Sequence, residues 1–438
     1  YIYMGGGVAI GDINNDGLSD MFFTGNMVTN KLYLNNGNMQ FEDISGSAKV
    51  EGDQRWYTGV TMIDINNDGW LDIYLSVSGK YHDTRNQLLV NNGDLTFTEQ
   101  AAQYGIDDAS NSIQSTFFDY DRDGDVDLFV ANYPLVPLSQ GNLFYREKMD
   151  ENKLEESGHL FRNDGNGVFT DVTMESGVLN FGLTLGVVAS DFNNDGWADL
   201  YLSNDFNVPD YFYINNQDGT FTNRSKAFLP HTSYSAMGND VVDLNNDGYP
   251  DIVAVDMLPE DNFRKKTMLM NNNYTGYINN EKYDYQYQCV RNTVQLNQGI
   301  SPVTGEPTFG DVALLAGVSS TDWSWAPLVA DFDNDGYRDL IITNGFPKDI
   351  TDRDFSDYNV EVGRYAKKSM LLARIPSVKI RNYAYRNING VQFEDVTTAW
   401  GISEPSFSNG AAYGDLDNDG DLDYVVNNIN DPASIYEN

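Results

Sequence analysis

Carboxylates and amides recur at fixed offsets along this chain. The nine-residue pattern Asp-x-Asn/Asp-x-Asp-Gly-x-x-Asp occurs seven times in 438 residues. The oxygen-bearing side chains at its positions 1, 3, 5 and 9 are Asp12, Asn14, Asp16 and Asp20 in the first copy and Asp64, Asn66, Asp68 and Asp72 in the second. Next come Asp119, Asp121, Asp123 and Asp127, then Asp191, Asn193, Asp195 and Asp199, then Asp243, Asn245, Asp247 and Asp251. The last two copies contribute Asp331, Asp333, Asp335 and Asp339, and Asp415, Asp417, Asp419 and Asp423. Oxygens at alternate positions converge on one point when the backbone curls around it, and the glycine at position 6 permits that curl. Position 7 is Leu18, Trp70, Asp125, Trp197, Tyr249, Tyr337 or Asp421, a freedom expected where only the backbone carbonyl is a ligand. An all-oxygen donor set selects a hard cation, so the expected ion is Ca²⁺ rather than zinc or copper. Mg²⁺ fits less well because it prefers a small octahedral shell that keeps waters. One such stretch alone reads as a solvated turn; seven intact copies reverse that, and up to seven structural Ca²⁺ are expected.

The residues around each copy tell which kind of module carries it. A helix–loop–helix calcium site needs Glu at position 12 and an amphipathic helix afterwards. Here the continuations are short β-branched and aromatic runs such as Ile73-Tyr-Leu-Ser76, Leu200-Tyr-Leu-Ser203 and Leu340-Ile-Ile-Thr343. The stretches before the loops, Gly7-Val-Ala-Ile-Gly11 among them, have the same character, so each loop is predicted to join two strands. Downstream, Lys31-Leu-Tyr-Leu-Asn-Asn-Gly37 with Phe41-Glu-Asp-Ile-Ser45, and His159-Leu-Phe-Arg-Asn-Asp-Gly165 with Phe169-Thr-Asp-Val-Thr173, read as a hairpin. Four strands per unit is the count of a β-propeller blade. The expected fold is therefore all-β: a seven-bladed propeller with a calcium loop between the first two strands of each blade. Blade limits fall near 1–52, 53–107, 108–179, 180–229, 230–318, 319–403 and 404–438, with insertions near 131–158, 256–290 and 345–381.

These units resemble the FG-GAP/VCBS repeats of integrin α-subunit propellers and of many bacterial surface proteins, and the resemblance covers essentially the whole chain. Asp256-Met-Leu-Pro-Glu-Asp261 and Asn344-Gly-Phe-Pro-Lys-Asp-Ile350 resemble the exported proteins of Bacteroidetes-type bacteria. In those, the propeller usually precedes an ASPIC/UnbV-type domain, which the cartilage acidic protein family also has. The resemblance implies an extracellular location at the bacterial cell surface, associated with the outer membrane through a lipoprotein anchor or a transporter complex. Ser434-Ile-Tyr-Glu-Asn438 matches a third strand, so the last blade is expected to be completed from before Tyr1 or beyond Asn438, in a protein longer than this chain.

Composition accords with an exported calcium protein. Lys and Arg number 27 against 65 Asp and Glu, a net charge of −38 that opposes binding to nucleic acid or to anionic lipid. Seven Ca²⁺ would bring the formal charge to −24. No apolar run reaches the ~20 residues of a membrane-spanning helix. Cys289 is the single cysteine, so no disulfide framework exists within the chain.

Catalytic constellations are not evident. His82, His159 and His231 are scattered over different blades, there is no nucleophile-elbow, zincin or phosphate-loop motif, and the regularly spaced carboxylates are accounted for as ligands. The expected function is a non-enzymatic calcium-stabilised binding or scaffold module, capturing glycans or serving as a subunit of an outer-membrane uptake complex. Two other classes remain open: an integrin-like adhesion module that binds protein, and a propeller enzyme acting on polysaccharide. The insertions are the expected binding face. The Tyr- and Asn-rich stretch from Asn271 to Tyr287 suits sugar rings or a protein surface, though packing onto the propeller is its simpler role. Trp323 and Trp325 read as packing residues. Phe263-Arg-Lys-Lys266 and Arg364-Tyr-Ala-Lys-Lys368 are basic clusters that either face solvent or meet an anionic partner or an acidic patch of the same molecule. Arg146 to Glu156 reads as an exposed excursion with a short helix.

Overall fold

The computed structural model describes residues 4–137, 140–268 and 274–438, with only the backbone described at Thr275 and Gly276. Seven antiparallel sheets follow one another in chain order. Blade 1 consists of Val8–Gly11, Asp20–Phe23, Lys31–Asn35 and Phe41–Asp43, and blade 2 of Trp56–Ile63, Asp72–Ser78, Gln87–Asn91 and Phe97–Glu99. Blade 3 consists of Ser112–Phe118, Asp127–Asn132, His159–Asn163 and Phe169–Asp171, and blade 4 of Thr184–Ser190, Asp199–Asn204, Tyr211–Asn215 and Phe221–Asn223. Blade 5 uses Gly238–Val242, Asp251–Val255, Thr293–Ile300 and Pro307–Asp311, and blade 6 Ser324–Ala330, Asp339–Asn344, Tyr383–Asn387 and Phe393–Asp395. Blade 7 has three strands among the described residues: Ser408–Gly414, Asp423–Asn428 and Ser434–Tyr436. Tyr1–Tyr3 lie outside those residues.

The register is the same in every blade. The last residue of the first strand pairs with motif position 9, as in Gly11↔Asp20, Phe118↔Asp127 and Gly414↔Asp423, so the motif is the loop between the first two strands. The second strands are Val/Ile/Leu/Tyr-rich because both of their faces are covered; Asp72–Ser78 and Asp199–Asn204 are buried throughout. Apolar side chains of adjacent sheets interdigitate. Between blades 4 and 5, Phe212 packs edge-on against Phe192 (ring centroids 4.7 Å), Phe309 (5.5 Å) and Phe228 (5.7 Å). First strands crowd around the axis, which explains their glycines. A Cβ on Gly238 would sit 2.3 Å from the Trp325 carbonyl oxygen, and one on Gly410 would sit 2.6 Å from that of Gly6.

Asparagines at the ends of the third strands lace the blades together. The Asn91 amide donates to the Ile13 carbonyl of blade 1 (2.8 Å), Asn215 to Tyr120 of blade 3 (2.8 Å), Asn297 to Phe192 of blade 4 (2.8 Å) and Asn387 to Leu244 of blade 5 (3.0 Å). Asn438 supplies the same contact from blade 7 to Phe332 of blade 6 (2.5 Å). Blades 1 and 7 meet directly: Asn35 of blade 1 donates to Leu416 of blade 7 (2.7 Å), and the Gly410 N–H reaches the Gly6 carbonyl (3.3 Å).

All three insertions connect second to third strands, so they emerge on the face opposite the loops. They carry the helices Asn142–Glu151, Asn262–Thr267, Tyr274–Lys282, Arg353–Val362 and Lys368–Arg374. They also touch one another. The Tyr285 hydroxyl donates to the Asn142 carbonyl (2.8 Å), and Arg264 joins Asp322 (2.7 Å) and Asp349 (2.5 Å). Arg264 of the first basic cluster thus meets acids of the same molecule. Trp323 and Trp325 are buried, the former stacked on Phe346 at 4.3 Å. Of the Tyr/Asn stretch, Asn271 to Asn273 and the side chain of Thr275 lie outside what is described.

Asn91→Ala removes a buried amide that serves two blades and is expected to lower unfolding free energy by about 2–3 kcal/mol, against about 0.5 kcal/mol or less for the exposed neighbour Asn92→Ala. Denaturant titration of both variants checks this, and equal effects would contradict the lacing role.

Candidate metal centres

Each loop is first organised by its own backbone. In the first copy the Gly17 N–H donates to Asp12 Oδ2 (2.8 Å), the Asp16 N–H to Asp12 Oδ1 (3.2 Å) and Asn14 Oδ1 (3.1 Å), and the Leu18 N–H to Asp16 Oδ1 (2.9 Å). These donors turn the side chains of positions 1, 3 and 5 inward. The same bond from position 7 to position 5 occurs in all seven loops, between 2.8 and 3.0 Å. The curl needs φ near +86 to +96° at the position-6 glycines and φ of +55 to +63° at position 4. Asn occupies position 4 in six copies and Arg122 in the other, in keeping with the tolerance of Asn for left-handed backbone.

Position 4 also has a role that the motif reading did not assign. Its side chain reaches the next loop: Asn15 donates to the Gly69 carbonyl (2.8 Å), Asn194 to Gly248 (2.9 Å), Asn246 to Gly336 (2.9 Å) and Asn418 to Gly17 across the closure (2.9 Å). Asn334 bonds the Asp421 carboxylate instead, and Arg122 lies over the Trp197 ring at 5.4 Å. The signal was present as a recurrent Asn, but its partner is another blade.

The carboxylate at position 9 is buried and does two things at once. Asp20 Oδ2 accepts from the Ile13 N–H (3.0 Å) and Oδ1 from the Asn35 N–H (2.8 Å), tying loop to third strand. Asp72, Asp127, Asp199, Asp251 and Asp339 repeat both bonds, and Asp423 takes them from Leu416 and Asn438. Burial, followed by the charges at positions 1, 3 or 5, outweighs these hydrogen bonds and raises the carboxyl to about 6 in Asp20, Asp72 and Asp339 and to about 7 in Asp127, Asp199 and Asp251. Ionised acids crowded in this way call for a compensating cation.

Three loops bring three carboxylates together with ligand atoms within 4.8 Å of one another: Asp119, Asp121 and Asp127; Asp331, Asp333 and Asp339; and Asp415, Asp417 and Asp419. These are the copies with Asp at position 3. In the other four, Asn14, Asn66, Asn193 and Asn245 supply an amide oxygen there. Asp119 Oδ1 is buried with no hydrogen-bond partner, a lone pair that a cation would fill. The donor set is all oxygen and fits a hard divalent ion. Position-7 side chains turn away from it, Trp70 and Tyr249 covering the hairpin glycines Gly93 and Gly299.

A model of the FG-GAP-like repeat matches residues 12–75, 76–130, 151–202 and 191–254. The chain belongs to the FG-GAP-like repeat family. Its FG-GAP repeats are also similar to curated relatives. Cartilage acidic protein 1 of Homo sapiens is 26% identical over 240 residues, 53% of this chain and 33% of the relative. That of Mus musculus is 25% identical over 237 residues, 53% of this chain and 34% of the relative. The chain thus spans about a third of the length of these relatives, and the expected kinship with the cartilage acidic protein family is met. Among solved structures, an Agrocybe aegerita lectin that recognises non-reducing terminal N-acetylglucosamine aligns with TM-score 0.45 at 15% identity, covering 89% of this chain and 79% of the lectin. The V. cholerae biofilm matrix protein Bap1 aligns with TM-score 0.40 at 10% identity, covering 97% and 84%.

The opposite face of the propeller has a cavity of about 420 Å³ on the axis, lined by first-strand residues that include Thr58, Gln114, Asn239, Asp240, Trp325 and Asn409. Asn239 Oδ1 and Asn409 Nδ2 are buried without a protein partner. No helix among the described residues is long and apolar enough to cross a membrane.

Positions 5 and 9 separate by ion dependence. Asp72→Ala orphans the Ile65 and Asn91 N–H groups and is expected to destabilise by about 3 kcal/mol with or without Ca²⁺. The exposed Asp68→Ala should shift stability by about 1 kcal/mol or less in EDTA and show its main loss only in excess Ca²⁺. Denaturation of both variants under the two conditions decides.

Proposed function

We propose that this chain is a calcium-stabilised, non-enzymatic binding and scaffold module that works outside the cell, on a bacterial surface. The observation that supports this most strongly is the division of labour between faces. All seven acidic loops lie on one face, whereas the three insertions and the axial cavity lie on the other. Each ion would be held by the side chains at positions 1, 3, 5 and 9, of which positions 1, 3 and 9 already cluster in the third and sixth loops. A bound Ca²⁺ supplies charge neutralisation and a rigid hub for its loop. The protein's own part is to hold those oxygens in place through the N–H donors of positions 5 to 7 and to pass the loop's rigidity to the next blade through position 4. Loops of this chemistry bind in ranges down to about 10⁻⁴–10⁻³ M, concentrations met outside cells.

The insertion face supplies the ligand surface. Tyr277 stacks on Tyr287 at 5.0 Å and is 53% exposed, and Tyr274 is 77% exposed, so flat aromatic surface stands in solvent. Such surfaces suit sugar rings of an extended glycan. In the axial cavity the titratable lining groups are Asp240 and Tyr413, and Asp240 already accepts the Val241 and Val329 N–H groups (2.8 Å each), an arrangement suited to holding blades together rather than to proton transfer.

Chelation with EDTA is expected to lower the melting temperature, with a loss of about 2.7 kcal/mol for each site that had been held at a hundred times its dissociation constant. Ca²⁺ should restore it more fully than equimolar Mg²⁺, and a melting temperature indifferent to EDTA contradicts the calcium role. On glycan and protein arrays probed in Ca²⁺, Tyr277→Ala is expected to reduce binding several-fold while Asn92→Ala, on the loop face, leaves it unchanged; the reverse pattern would move the ligand surface to the other face.

A further inference from the structure

The third insertion reverses the charge of the molecule around it. Residues 364–381 hold six Lys and Arg and no Asp or Glu, in a chain of net charge −38. Two of the six lie at the base of the insertion and are neutralised there, Lys379 by Asp431 (2.5 Å) and Arg381 by Asp395 (3.0 Å). The other four are not. Among the described residues Arg364, Lys367 and Lys368 have no ion-pair partner, although the chain carries 65 acids, and Arg374 lies over the Tyr358 ring at 5.3 Å. The acids of the neighbouring helix, Asp354, Asp357 and Glu361, follow the spacing i, i+3, i+7 and so occupy one stripe of it, apart from Arg353 and Val360.

The same segment holds apolar side chains out into water. Helices Arg353–Val362 and Lys368–Arg374 have no buried residue, and Val360 is 79%, Tyr365 90%, Met370 56% and Leu372 47% exposed. Their base is firm: Phe346 stacks on Trp323, Asp349 takes Arg264, Ile375 is buried, and Ile380–Arg381 pairs with Pro405–Ser406. Helices this short draw their stability from a covered apolar face, and the propeller does not supply the cover.

Charge and apolarity together select the occupant. At the boundary of an anionic bilayer, head-group phosphates meet Lys and Arg while aliphatic and tyrosine side chains enter the layer beneath. A polyanionic glycan would answer the cations but offers nothing to Val360, Met370 and Leu372. The net charge does not oppose such a contact at this place. The seven acidic loops lie on the other face, across strands that at six residues are about 20 Å long, whereas the Debye length at physiological salt is about 8 Å.

We propose that the tip of the third insertion docks the propeller on an anionic lipid surface, with Arg364, Lys367, Lys368 and Arg374 on the head-group phosphates and Tyr365, Met370 and Leu372 at the acyl boundary. The Tyr277 surface belongs to the second insertion, which Tyr285 ties to the first through the Asn142 carbonyl, so lipid and ligand use separate segments.

The test is flotation of the calcium-loaded chain with vesicles of phosphatidylcholine alone and of an equimolar mixture with phosphatidylglycerol. At least about tenfold stronger partitioning into the mixed vesicles is expected, weakened as NaCl rises from about 0.1 to about 0.5 M. Lys367→Glu/Lys368→Glu should lower it by at least about tenfold and Met370→Ser/Leu372→Ser by about threefold, with melting temperatures unchanged because all four side chains are exposed. No partitioning of the native chain overturns the proposal. So does binding that survives the charge reversal, which would assign the contact to Ca²⁺ bridging from the acidic loops. Retention on immobilised polyglutamate, or self-association that the charge reversal abolishes, in the absence of vesicle binding would give the tip to an acidic protein or to the loop face of a second copy, and equally overturns the lipid assignment.

Discussion

One buried carboxylate per blade holds the loop, the second strand and the third strand in a single arrangement. Asp20, Asp72 and their five counterparts begin the second strand, cap the N–H of motif position 2 and take the N–H of the asparagine that ends the third strand. Removing that acceptor would strand two buried donors, each unsatisfied group costing about 1–3 kcal/mol. In six of the seven blades the asparagine whose N–H it fixes then turns its amide to the preceding blade, whereas the Asn163 amide donates to Val126 of its own blade. Intra-blade order and inter-blade order therefore share one residue pair. Between blades 7 and 1, as between blades 6 and 7, this lace runs between loop and third strand rather than along the outer edge.

The loops form a second ring outside the first. Position-4 side chains hand contacts from six of the seven loops to the following one, across the closure as well, so the loops make a belt rather than isolated turns. Crowded acids oppose the belt and polar cross-links support it. A cation at each loop would remove the opposition, which is why the proposed ions are structural and why their number follows the blades.

The face away from the belt is built differently. Its insertions are short helices with few buried residues, held by specific contacts such as Arg264 between Asp322 and Asp349 and Tyr285 on Asn142. Such segments add little apolar burial to stability and are free to vary, which suits a surface for recognition.

Local chemistry was legible in the sequence because it repeats. Asp-x-Asn/Asp-x-Asp-Gly-x-x-Asp states the loop, the β-branched runs beside it state two strands, and Asn-x-Gly before Phe-x-Asp states the hairpin; seven copies give seven blades. All of this follows from hydrogen bonds and turns within about thirty residues of chain, where residue type and spacing decide the outcome. What the tertiary structure alone decided involves partners far apart in sequence. That Asn418 would meet Gly17, that Asn35 would meet Leu416, that position 9 would be a buried strap as well as a candidate ligand, and that His231 and Arg291 would both meet Asp311 are consequences of closing the ring and folding an insertion back onto it. No local periodicity encodes such contacts, because they arise only when packed sheets bring separate segments to hydrogen-bonding distance.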